Sequence, residues 1–281
     1  MQIAVTGGLG RLGCYVVRAL ESHDVRVLDI DTEGECVHAD LRDIAALRTA
    51  LRGSEVVVHL GGIDRSVATD DAETMQVNAM GTWNLFEASL QEGVRRVVHC
   101  SSSSVLGLDH SNPHLPPRYL PIDETHELRP TDAYGLSKFC GERIAEAYSR
   151  RGLEVIVIRP CFVAFPEMAA FMSGRSGPEG RCEPLPYLRT YVSPEDCARG
   201  FAATVSVAYA GFETFFLAAA DTFAAEPTVA RLETLYDTPI PVRDRAHFQR
   251  NDRASPISHA AATARLGWSP TTRWTPDGIV A

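Results

Sequence analysis

The sequence predicts a protein of the α/β class, in which helices cover both faces of a doubly wound parallel sheet. Short runs of β-branched residues alternate with helical stretches through the first half of the chain, as in folds whose parallel strands are joined by helices. Two of the runs, VVVHL and VIVIR, are apolar almost throughout, as strands are when both faces are buried. Glycine-rich TGGLGRLG lies between the first strand and the first helix, where such folds bind phosphate groups.

The predicted elements alternate along the chain up to about residue 165. Strands are expected at 3–7, 25–31, 55–62, 95–104 and 153–160, and helices at 11–22, 43–53, 72–93 and 133–151. The later part is less regular and predicts helices at 193–210, 228–236 and 259–268 and a strand at 213–219. Loops are expected at 107–132 and 166–190. We therefore predict a ligand-binding and catalytic domain at 1–165 and a small C-terminal substrate lobe at 166–281, interleaved with the last sheet strands.

Composition and charge exclude several classes of partner. The chain has 281 residues and a formal net charge of −9, with acidic and basic residues mixed along it. An acidic balance without a basic block disfavours nucleic acid and anionic membranes. No apolar run approaches the ~20 residues of a membrane span, and MQIAVTGG lacks the regions of a secretory signal. The seven cysteines are scattered without a CxxC pair, which indicates free thiols, a reducing cytoplasm and no metal site.

The glycines of TGGLGRLG have separate expected tasks. Gly7 permits a tight turn, Gly10 lets the backbone approach a pyrophosphate, and Gly13 lets the helix pack close to the sheet. The helix N-terminus offers N–H groups and partial positive charge to the phosphates. Asp29 ends the second strand about 20 residues later, where a carboxylate accepts hydrogen bonds from the adenosine ribose and repels a 2′-phosphate. These residues favour NAD over NADP.

Lys138 is the only lysine of the chain, and every other member of the Lys+Arg set is an arginine. It follows Tyr134 by four residues in YGLSKFCGE, so both side chains share one face of a helix. A phenol has a pKa of about 10 and is a poor base at neutral pH, but a nearby ammonium lowers that pKa by favouring the phenolate. The same ammonium can bind the nicotinamide ribose, and the bulkier, planar guanidinium of arginine is no equivalent.

A hydroxyl donor is expected close to this pair, to hold the substrate oxygen. The stretch CSSSSVLG at 100–107 ends the fourth strand. That strand end lies at the carboxyl edge of the sheet, where open α/β sheets bind their ligands. The serines are therefore candidates for the donor.

These motifs occur in the order of a known family. TGGxGxxG, the strand ending in Asp29, HLGG, the Asn78 helix, SSSSVLG, YGLSK and IRP follow one another. The chain resembles the extended short-chain dehydrogenase/reductases, the NAD-dependent epimerase/dehydratase group, most strongly over residues 1–165. The resemblance implies a Rossmann-type fold, an NAD cofactor, and hydride transfer between nicotinamide and a substrate carbon.

The resemblance also implies roles for individual residues. Tyr134 is expected to be the general acid/base, Lys138 its partner and Ser102 the catalytic hydroxyl. The expected cofactor-binding residues all match positions of the family's motifs: Gly7, Gly10, Arg11, Leu12, Asp29, Asp40, Leu41, Leu60, Gly61, Gly62, Asn78, Tyr134 and Lys138.

Departures from the family pattern bear on the reaction. The family's dehydratases have Asp-Glu where this chain has Ser103 and Ser104, which cannot serve as elimination acid and base. Nucleotide-sugar epimerases have an asparagine after IRP that helps bind the diphosphate sugar, and here that position is Phe162. The short span from there to Tyr191 leaves little room for a lobe around a nucleotide. PIDETHELRPTDAYGLSK, in contrast, looks very like the epimerases' approach to the tyrosine.

A narrower resemblance links HLGGI, NLFEAS and YGLSKFCGE to the hexuronate dehydrogenases. Those enzymes oxidise the anomeric carbon of a free uronate to a lactone, which implies an arginine that holds the substrate carboxylate. Candidates for that arginine are Arg175, Arg181 and Arg189. The expected substrate contacts are Ser102, Ser103, Ser104, Phe162 and Arg189.

The leading interpretation is an NAD-dependent dehydrogenase that acts on a hydroxyl-bearing carbon of a small sugar or sugar acid. One alternative is a nucleotide-sugar epimerase with tightly bound NAD, which releases no NADH. A second alternative is a non-catalytic dinucleotide sensor on the same fold.

Other residues give further expectations. The helices that contain Asn78 and Tyr134 commonly pair across a two-fold axis in this family, so a homodimer is expected, with Trp83 and Phe86 on that face. Core packing of these two residues within one subunit is the alternative. His59 and His99 lie in apolar strands and are interpreted as structural. His110 and His114 are candidate substrate contacts in the loop over the site.

Overall fold

One parallel sheet organises the part of the chain that the structure describes. A computed structural model describes residues 1–31, 34–64, 70–108, 115–173, 188–208, 211–275 and 278–280. In these ranges seven strands form one sheet in the order β3-β2-β1-β4-β5-β6-β7, and every neighbouring pair is parallel. The strands are β1 (Gln2–Thr6), β2 (Asp24–Asp29), β3 (Val37–His38), β4 (Val56–His59), β5 (Arg96–Cys100), β6 (Glu154–Pro160) and β7 (Phe212–Leu217). The order reverses between β1 and β4, which confirms the predicted Rossmann-type fold.

Helices cover both faces of this sheet. In the same described ranges they are α1 (Arg11–Ala19), α2 (Ile44–Leu51), α3 (Asp71–Met75), α4 (Gly81–Gln91), α5 (Ala133–Ser149), α6 (Ala169–Met172), α7 (Pro194–Ser206), α8 (Thr228–Tyr236), α9 (Arg245–Arg250) and α10 (Ala260–Leu266). Alternate strand residues pack on opposite faces, because side chains along a strand alternate in direction. Val5, Val58 and Ile156 pack with α1, α7 and α10. Ala4 and Val57 pack with α2, α4 and α5.

The chain beyond residue 165 contributes to this sheet and to its core. β7 extends the sheet beside β6, and α7 packs against α1. Residues from both parts, among them Val16 and Phe201, are buried in one cluster. The division of the chain at 165 into a catalytic domain and a substrate lobe stays a prediction.

Several predicted elements differ from the structure. The predicted helix 72–93 is α3, then a π-helical turn (Gln76–Met80), then α4. The predicted strand 95–104 ends at Cys100 and continues into a 3-10 turn (Ser103–Leu106). The predicted loop 166–190 contains α6 in its described part. The 3-10 turn begins where the side chain of Ser102 accepts from the Ser104 N–H, and it ends at Gly107 in the left-handed conformation.

Elements that were not predicted are short. They are β3, α9 and an antiparallel hairpin of β8 (Arg273–Thr275) and β9 (Gly278–Val280). The predicted loop 107–132 also makes single bridges from Leu120 to Val242 and from Ile122 to Ile257. Such pairings join segments that are far apart in the sequence, so local periodicity does not predict them.

Asp196 anchors the C-terminal segment to the fold. Its carboxylate accepts hydrogen bonds from the backbone N–H and the hydroxyl of both Thr271 and Thr272, and it pairs with Arg199. These donors lower the pKa of Asp196 to about 2 even though burial acts in the opposite direction. The carboxylate therefore stays ionised and holds the chain that leads into the hairpin.

The described part of the chain contains no helix long and apolar enough to cross a membrane. Six cysteines in the described ranges are free thiols: Cys14, Cys36, Cys100, Cys140, Cys161 and Cys197.

Candidate active site

The turn between β1 and α1 requires its glycines. Gly7 has a φ of +68°, and a Cβ on it would lie 2.7 Å from the backbone nitrogen of Gly61. A Cβ on Gly13 would collide with the carbonyl oxygen of Gly7. Gly8, to which the sequence assigned no role, would place a Cβ 2.7 Å from Val27. The backbone of this turn is therefore packed so closely that larger residues do not fit.

The N-terminus of α1 faces the same edge without a side-chain cap. Its N-cap residue is Gly10, and the first turn carries no acidic residue. Such an end presents N–H groups and partial positive charge to an anion. Leu12 packs against the core. The guanidinium of Arg11 pairs with Asp64 at 2.7 Å and lies 4.9 Å from the ring centroid of Phe165.

Asp29 lies at the carboxyl end of β2, beside the glycine turn. One carboxylate oxygen accepts from the Leu9 N–H at 3.0 Å, and the other accepts from the Ile30 N–H at 2.8 Å. The carboxylate is thus fixed in place at the position expected for a ribose contact. Further lone pairs of both oxygens can accept hydroxyl donors.

Asp40 and Leu41 follow β3 on the far side of the turn. Arg42 donates two hydrogen bonds from its Nε and Nη2 to the carboxylate of Asp40 and lowers its pKa. Leu41 is buried and lies against Gly81 at the start of α4. Leu41 can therefore offer an apolar wall beside an adenine.

Leu60, Gly61 and Gly62 leave the end of β4 next to the π-helical turn. The Gly61 N–H donates to Thr6 Oγ1 at 3.2 Å. A Cβ on Gly62 would lie 2.8 Å from Asn78 Oδ1 and 3.7 Å from Lys138 Nζ. Gly62 therefore lets the segment pass between the buried Asn78 amide and the lysine.

Tyr134 and Lys138 lie on α5, whose N-terminus Asp132 caps by accepting from the Gly135 N–H at 2.8 Å. Lys138 Nζ lies 5.8 Å from the ring centroid of Tyr134 and donates to the carbonyl oxygen of Cys100 at 3.1 Å. The lysine is only 7% exposed. The structure thus brings the two predicted residues together at the end of β5.

Ser102 and its neighbours form the 3-10 turn that follows β5. Ser102 Oγ accepts from the Ser104 N–H at 3.1 Å and donates to Ser104 Oγ at 3.2 Å. A Cβ on Gly135 would lie 2.8 Å from the carbonyl oxygen of Ser104. A glycine after Tyr134 therefore lets α5 approach the serine turn, and Ser102, Ser103 and Ser104 lie beside the Tyr134–Lys138 pair.

A buried ion pair supports this region, and sequence reasoning assigned it no role. Both Glu142 and Arg159 are buried, and Arg159 donates to the two carboxylate oxygens at 2.7 and 2.8 Å. Ser101 also donates to the carboxylate, at 2.6 Å. Glu142 is four residues after Lys138, on the same helical face. That spacing in YGLSKFCGE was a usable signal.

The substrate candidates after β6 lie in an aromatic cluster. The ring of Phe162 packs 6.1 Å from that of Phe171 and 6.4 Å from that of Phe223. Arg189 has a φ of +54°, and its guanidinium lies 5.6 Å from the Phe223 centroid. Arg175, Arg181, His110 and His114 lie outside the described residues.

His59 and His99 are buried under this edge, with ring centroids 5.3 Å apart. Burial, and then the charge of Lys138, lowers the pKa of His59 to about 3. Burial lowers the pKa of His99 well below its usual range. Both rings are therefore neutral near pH 7.

The residues at this edge of the sheet can bind a dinucleotide and transfer one proton. An uncapped helix end and the anchored Asp29 side chain lie on one side, and a tyrosine–lysine pair with adjacent hydroxyls lies on the other. That combination defines the class of nicotinamide-dependent oxidoreductases.

Comparison with known proteins agrees with this class. Residues 3–177 match the NAD dependent epimerase/dehydratase family. L-arabinose 1-dehydrogenase (NAD(P)(+)) of Haloferax volcanii is 32% identical over 214 residues, which cover 73% of this chain and 82% of that one. Uronate dehydrogenase of Pseudomonas putida is 30% identical over 168 residues, 56% of this chain and 59% of that one. The chain thus spans about three-fifths of the uronate dehydrogenase.

A solved structure extends the likeness over the whole fold. A short-chain dehydrogenase/reductase superfamily protein from Agrobacterium tumefaciens, with bound NAD, has a TM-score of 0.72 and 25% identity, covering 99% of this chain and 94% of that one. The chain belongs to the NAD dependent epimerase/dehydratase family. It is an NAD-dependent enzyme, and its cofactor is NAD.

Proposed function

We propose that this protein is a net dehydrogenase that moves hydride between NAD and a hydroxyl-bearing carbon of a small sugar or sugar acid. The observation that carries the proposal is the position of Lys138. Its ammonium bonds to the end of β5 and lies over Tyr134, beside Gly62. A buried ammonium at that point favours a phenolate on Tyr134.

The proposed roles follow from this geometry. NAD, when bound, supplies the hydride acceptor. Tyr134 takes the proton of the substrate hydroxyl as general base. Ser102 donates a hydrogen bond to the same substrate oxygen and fixes its position. Lys138 holds the nicotinamide ribose and stabilises the phenolate.

The aromatic cluster supports a small substrate. Phe162, Phe171 and Phe223 pack together where an epimerase is expected to contact a diphosphate. Closely packed rings fill this position with apolar surface and offer no amide to a nucleotide. A free sugar or sugar acid needs no such contact.

Arg189 is the proposed contact for an acidic substrate group. Its left-handed backbone is a strained conformation for a residue other than glycine. Burial, and then the charge of Arg189, lowers the pKa of Arg231 to about 10. The charge of Glu226 raises the pKa of both guanidinium groups and already offsets part of the repulsion between them. An acidic substrate group at Arg189 would add a second charge-assisted contact.

The test is the near-ultraviolet absorbance of NADH with purified protein, NAD⁺ and a panel of free aldoses, uronic acids, sugar phosphates and nucleotide sugars. Net NADH with a free sugar or sugar acid is the expected result, and it names the substrate class. Conversion of a nucleotide sugar to its epimer without NADH would overturn the proposal.

An epimerase is the second candidate, because PIDETHELRPTDAYGLSK resembles the epimerases' approach to the tyrosine. In that reaction hydride returns to the opposite face of the same carbon, and NAD stays bound. Chromatographic analysis of the sugar product in the same panel distinguishes the two reactions.

We further propose a homodimer formed by the helices that carry Asn78 and Tyr134. Met80, Trp83 and Leu136 on these helices are 57%, 43% and 43% exposed, and exposed large apolar side chains favour association. The expectation for Phe86 was wrong, because its ring is buried and packs against Tyr148 within the subunit. Trp83→Glu is expected to halve the mass measured by light scattering, whereas Leu235→Glu on α8 should leave it unchanged. An unchanged mass for Trp83→Glu would contradict this interface.

The cellular location of the protein and the part of the chain that contacts the substrate are also proposals. We place the protein in the cytoplasm, because free thiols fit a reducing compartment. We also propose that residues after 165 supply the substrate side of the site, through Arg189 and the aromatic cluster.

A further inference from the structure

A continuous chain of buried and partly buried hydrogen bonds runs under the active-site edge, and it begins after β4, at the segment expected to contact the cofactor. The Gly61 N–H donates to Thr6 Oγ1 at 3.2 Å. Thr6 Oγ1 lies 2.8 Å from Nδ1 of His59. The glycine that adjoins Gly7 is thus linked to the side chain of the last residue of β4.

The chain continues from His59 into the π-helical turn. His59 Nε2 lies 3.1 Å from Thr82 Oγ1, and that hydroxyl donates to the carbonyl oxygen of Asn78 at 2.5 Å. A π-turn widens the spacing between backbone groups and often marks a functional site. Here the hydroxyl of Thr82 reaches back by one turn to the Asn78 carbonyl.

Asn78 carries the chain to the helix of Tyr134. Its Oδ1 accepts from the Ile63 N–H at 2.7 Å, and its Nδ2 donates to the Ile63 carbonyl at 3.0 Å. Nδ2 also donates to Ser137 Oγ at 3.2 Å, and Ser137 Oγ donates to the carbonyl of Tyr134 at 2.7 Å. The backbone of the tyrosine is therefore tied to the cofactor segment.

The direction of these bonds fixes the tautomer of His59. The proton of Thr82 Oγ1 is used on the Asn78 carbonyl, so this hydroxyl can only accept from the ring, and Nε2 carries the proton. In the neutral ring Nδ1 is then bare and accepts from Thr6, whose oxygen accepts from Gly61. The hydrogen-bonding groups from Gly61 to Asn78 are all satisfied with one placement of the protons only.

The surroundings of His59 oppose its protonation. The ring is buried against His99, with centroids 5.3 Å apart. The ammonium of Lys138 is close enough to disfavour a second positive charge. A protonated His59 ring would also carry a hydrogen on Nδ1. Nδ1 would then donate to Thr6 Oγ1 instead of accepting from it.

We infer that His59, as a neutral Nε2–H tautomer, is a positioning residue that sets the helix of Tyr134 against the cofactor segment. Thr6, Thr82 and Asn78 complete the hydrogen-bond chain through which His59 acts. The inference rests on the proposed role of Tyr134 as general base. Small misplacements of a catalytic group reduce turnover strongly. Loss of this hydrogen-bond chain should therefore lower kcat more than it lowers the affinity for NAD⁺.

Thr82→Val tests the inference, because it removes the central hydroxyl and keeps the shape of the side chain. Thr204→Val is the matched control: Thr204 is buried in α7 and its hydroxyl bonds back to Phe201 at 2.6 Å. We expect about a tenfold lower kcat for Thr82→Val, an NAD⁺ Kd within about twofold, and recovery in Thr82→Ser. A kcat equal to that of Thr204→Val would overturn the inference.

Nitrogen NMR of the histidine rings gives a readout that needs no substrate. The parent protein at pH 7 should show His59 protonated at Nε2 only, and this signal should persist in Thr204→Val and be lost in Thr82→Val. A proton on Nδ1, or an imidazolium, would overturn the inference even if the proposed reaction is correct. If no substrate is found in the panel, the tautomer still decides the outcome.

Discussion

The two sides of the active-site edge are built from different materials. The cofactor side, at the ends of β1, β2 and β4, consists of main chain and glycines, with Asp29 held by two backbone N–H groups. The substrate side, after β6 and around Arg189, consists of aromatic rings and partly buried guanidinium groups. The first side is expected to hold NAD by backbone geometry, and the second is proposed to contact the substrate with side chains.

This difference shows how one fold can keep its cofactor and change its substrate. A backbone cradle such as Gly7 against Gly61 tolerates no added atom. A wall of side chains such as Phe162 and Phe223 can be altered by single substitutions without moving the sheet. The proposed catalytic pair, Tyr134 and Lys138 on α5, is expected to act on both ligands.

The largest effect is expected at this junction. Tyr134→Phe removes the proposed general base and should lower kcat about 10³-fold while NAD⁺ still binds, since acid–base catalysis contributes about 10²–10⁴-fold. Steady-state kinetics and NAD⁺ titration measure the two quantities. Tyr148→Phe, on the same helix, removes a hydroxyl that donates to Glu87 at 2.7 Å and should cost stability only. Equal turnover of both variants would remove Tyr134 from the mechanism.

Lys138→Arg should lower kcat/KM about 10²-fold, because a planar guanidinium differs in size and direction from the ammonium. The lysine is 7% exposed and donates to the Cys100 carbonyl oxygen at 3.1 Å, so a larger group would have to shift its surroundings. Initial rates of NADH formation provide the measurement. Near-full turnover would mean that position 138 needs only a positive charge, and that the retention of lysine has another cause.

Acidification should weaken the cofactor side through its buried histidines. His59 and His99 stay neutral in the folded protein, whereas in the unfolded chain they bind protons below the ordinary pKa of 6.5. Their stabilisation is therefore complete above pH 6.5 and is lost as the pH falls toward the folded pKa. At pH 5 each histidine should contribute about 2 kcal/mol less than at pH 7.

His99→Phe isolates one of these contributions, because neither ring nitrogen of His99 bonds to a described residue. Urea denaturation at pH 7 and pH 5 should show the difference in free energy of unfolding reduced by about 2 kcal/mol in this variant. Comparison with the parent cancels the other shifted groups, among them Glu124, whose pKa burial raises and which acts in the opposite direction. An unreduced difference would show that His99 titrates alike in both states.

The smallest effect is expected on the substrate side. Arg189→Gln should raise KM for an acidic sugar about tenfold and leave KM for a neutral aldose unchanged, because it removes one charge-assisted contact. The control is Arg265→Gln, which breaks an exposed pair with Glu213. A uniform rise for acidic and neutral sugars would assign Arg189 a structural role and would weaken the contrast between the two sides.

The accuracy of the sequence prediction follows the same division. The glycine turn and the strand end at Asp29 follow from the pattern of one strand–turn–helix unit, and the shared face of Tyr134 and Lys138 follows from their spacing on one helix. The roles of these residues stay predictions. The π-turn at Gln76–Met80 was missed, since no local signal separates it from the helices on either side. The Glu142–Arg159 pair was also missed, although Glu142 lies in YGLSKFCGE and Arg159 lies in IRP.

Periodicity and local motifs were sufficient to predict the class of fold, the cofactor and the shared helix of Tyr134 and Lys138, because short stretches of the chain encode these features. Only the tertiary structure decided that Phe162 meets Phe223, that Lys138 bonds to the end of β5, and that His59 links Thr6 to Thr82. These contacts join residues that are far apart in the chain. Their existence depends on how the packed layers bring strand ends and helices together, and burial then fixes their charge states and hydrogen-bond directions.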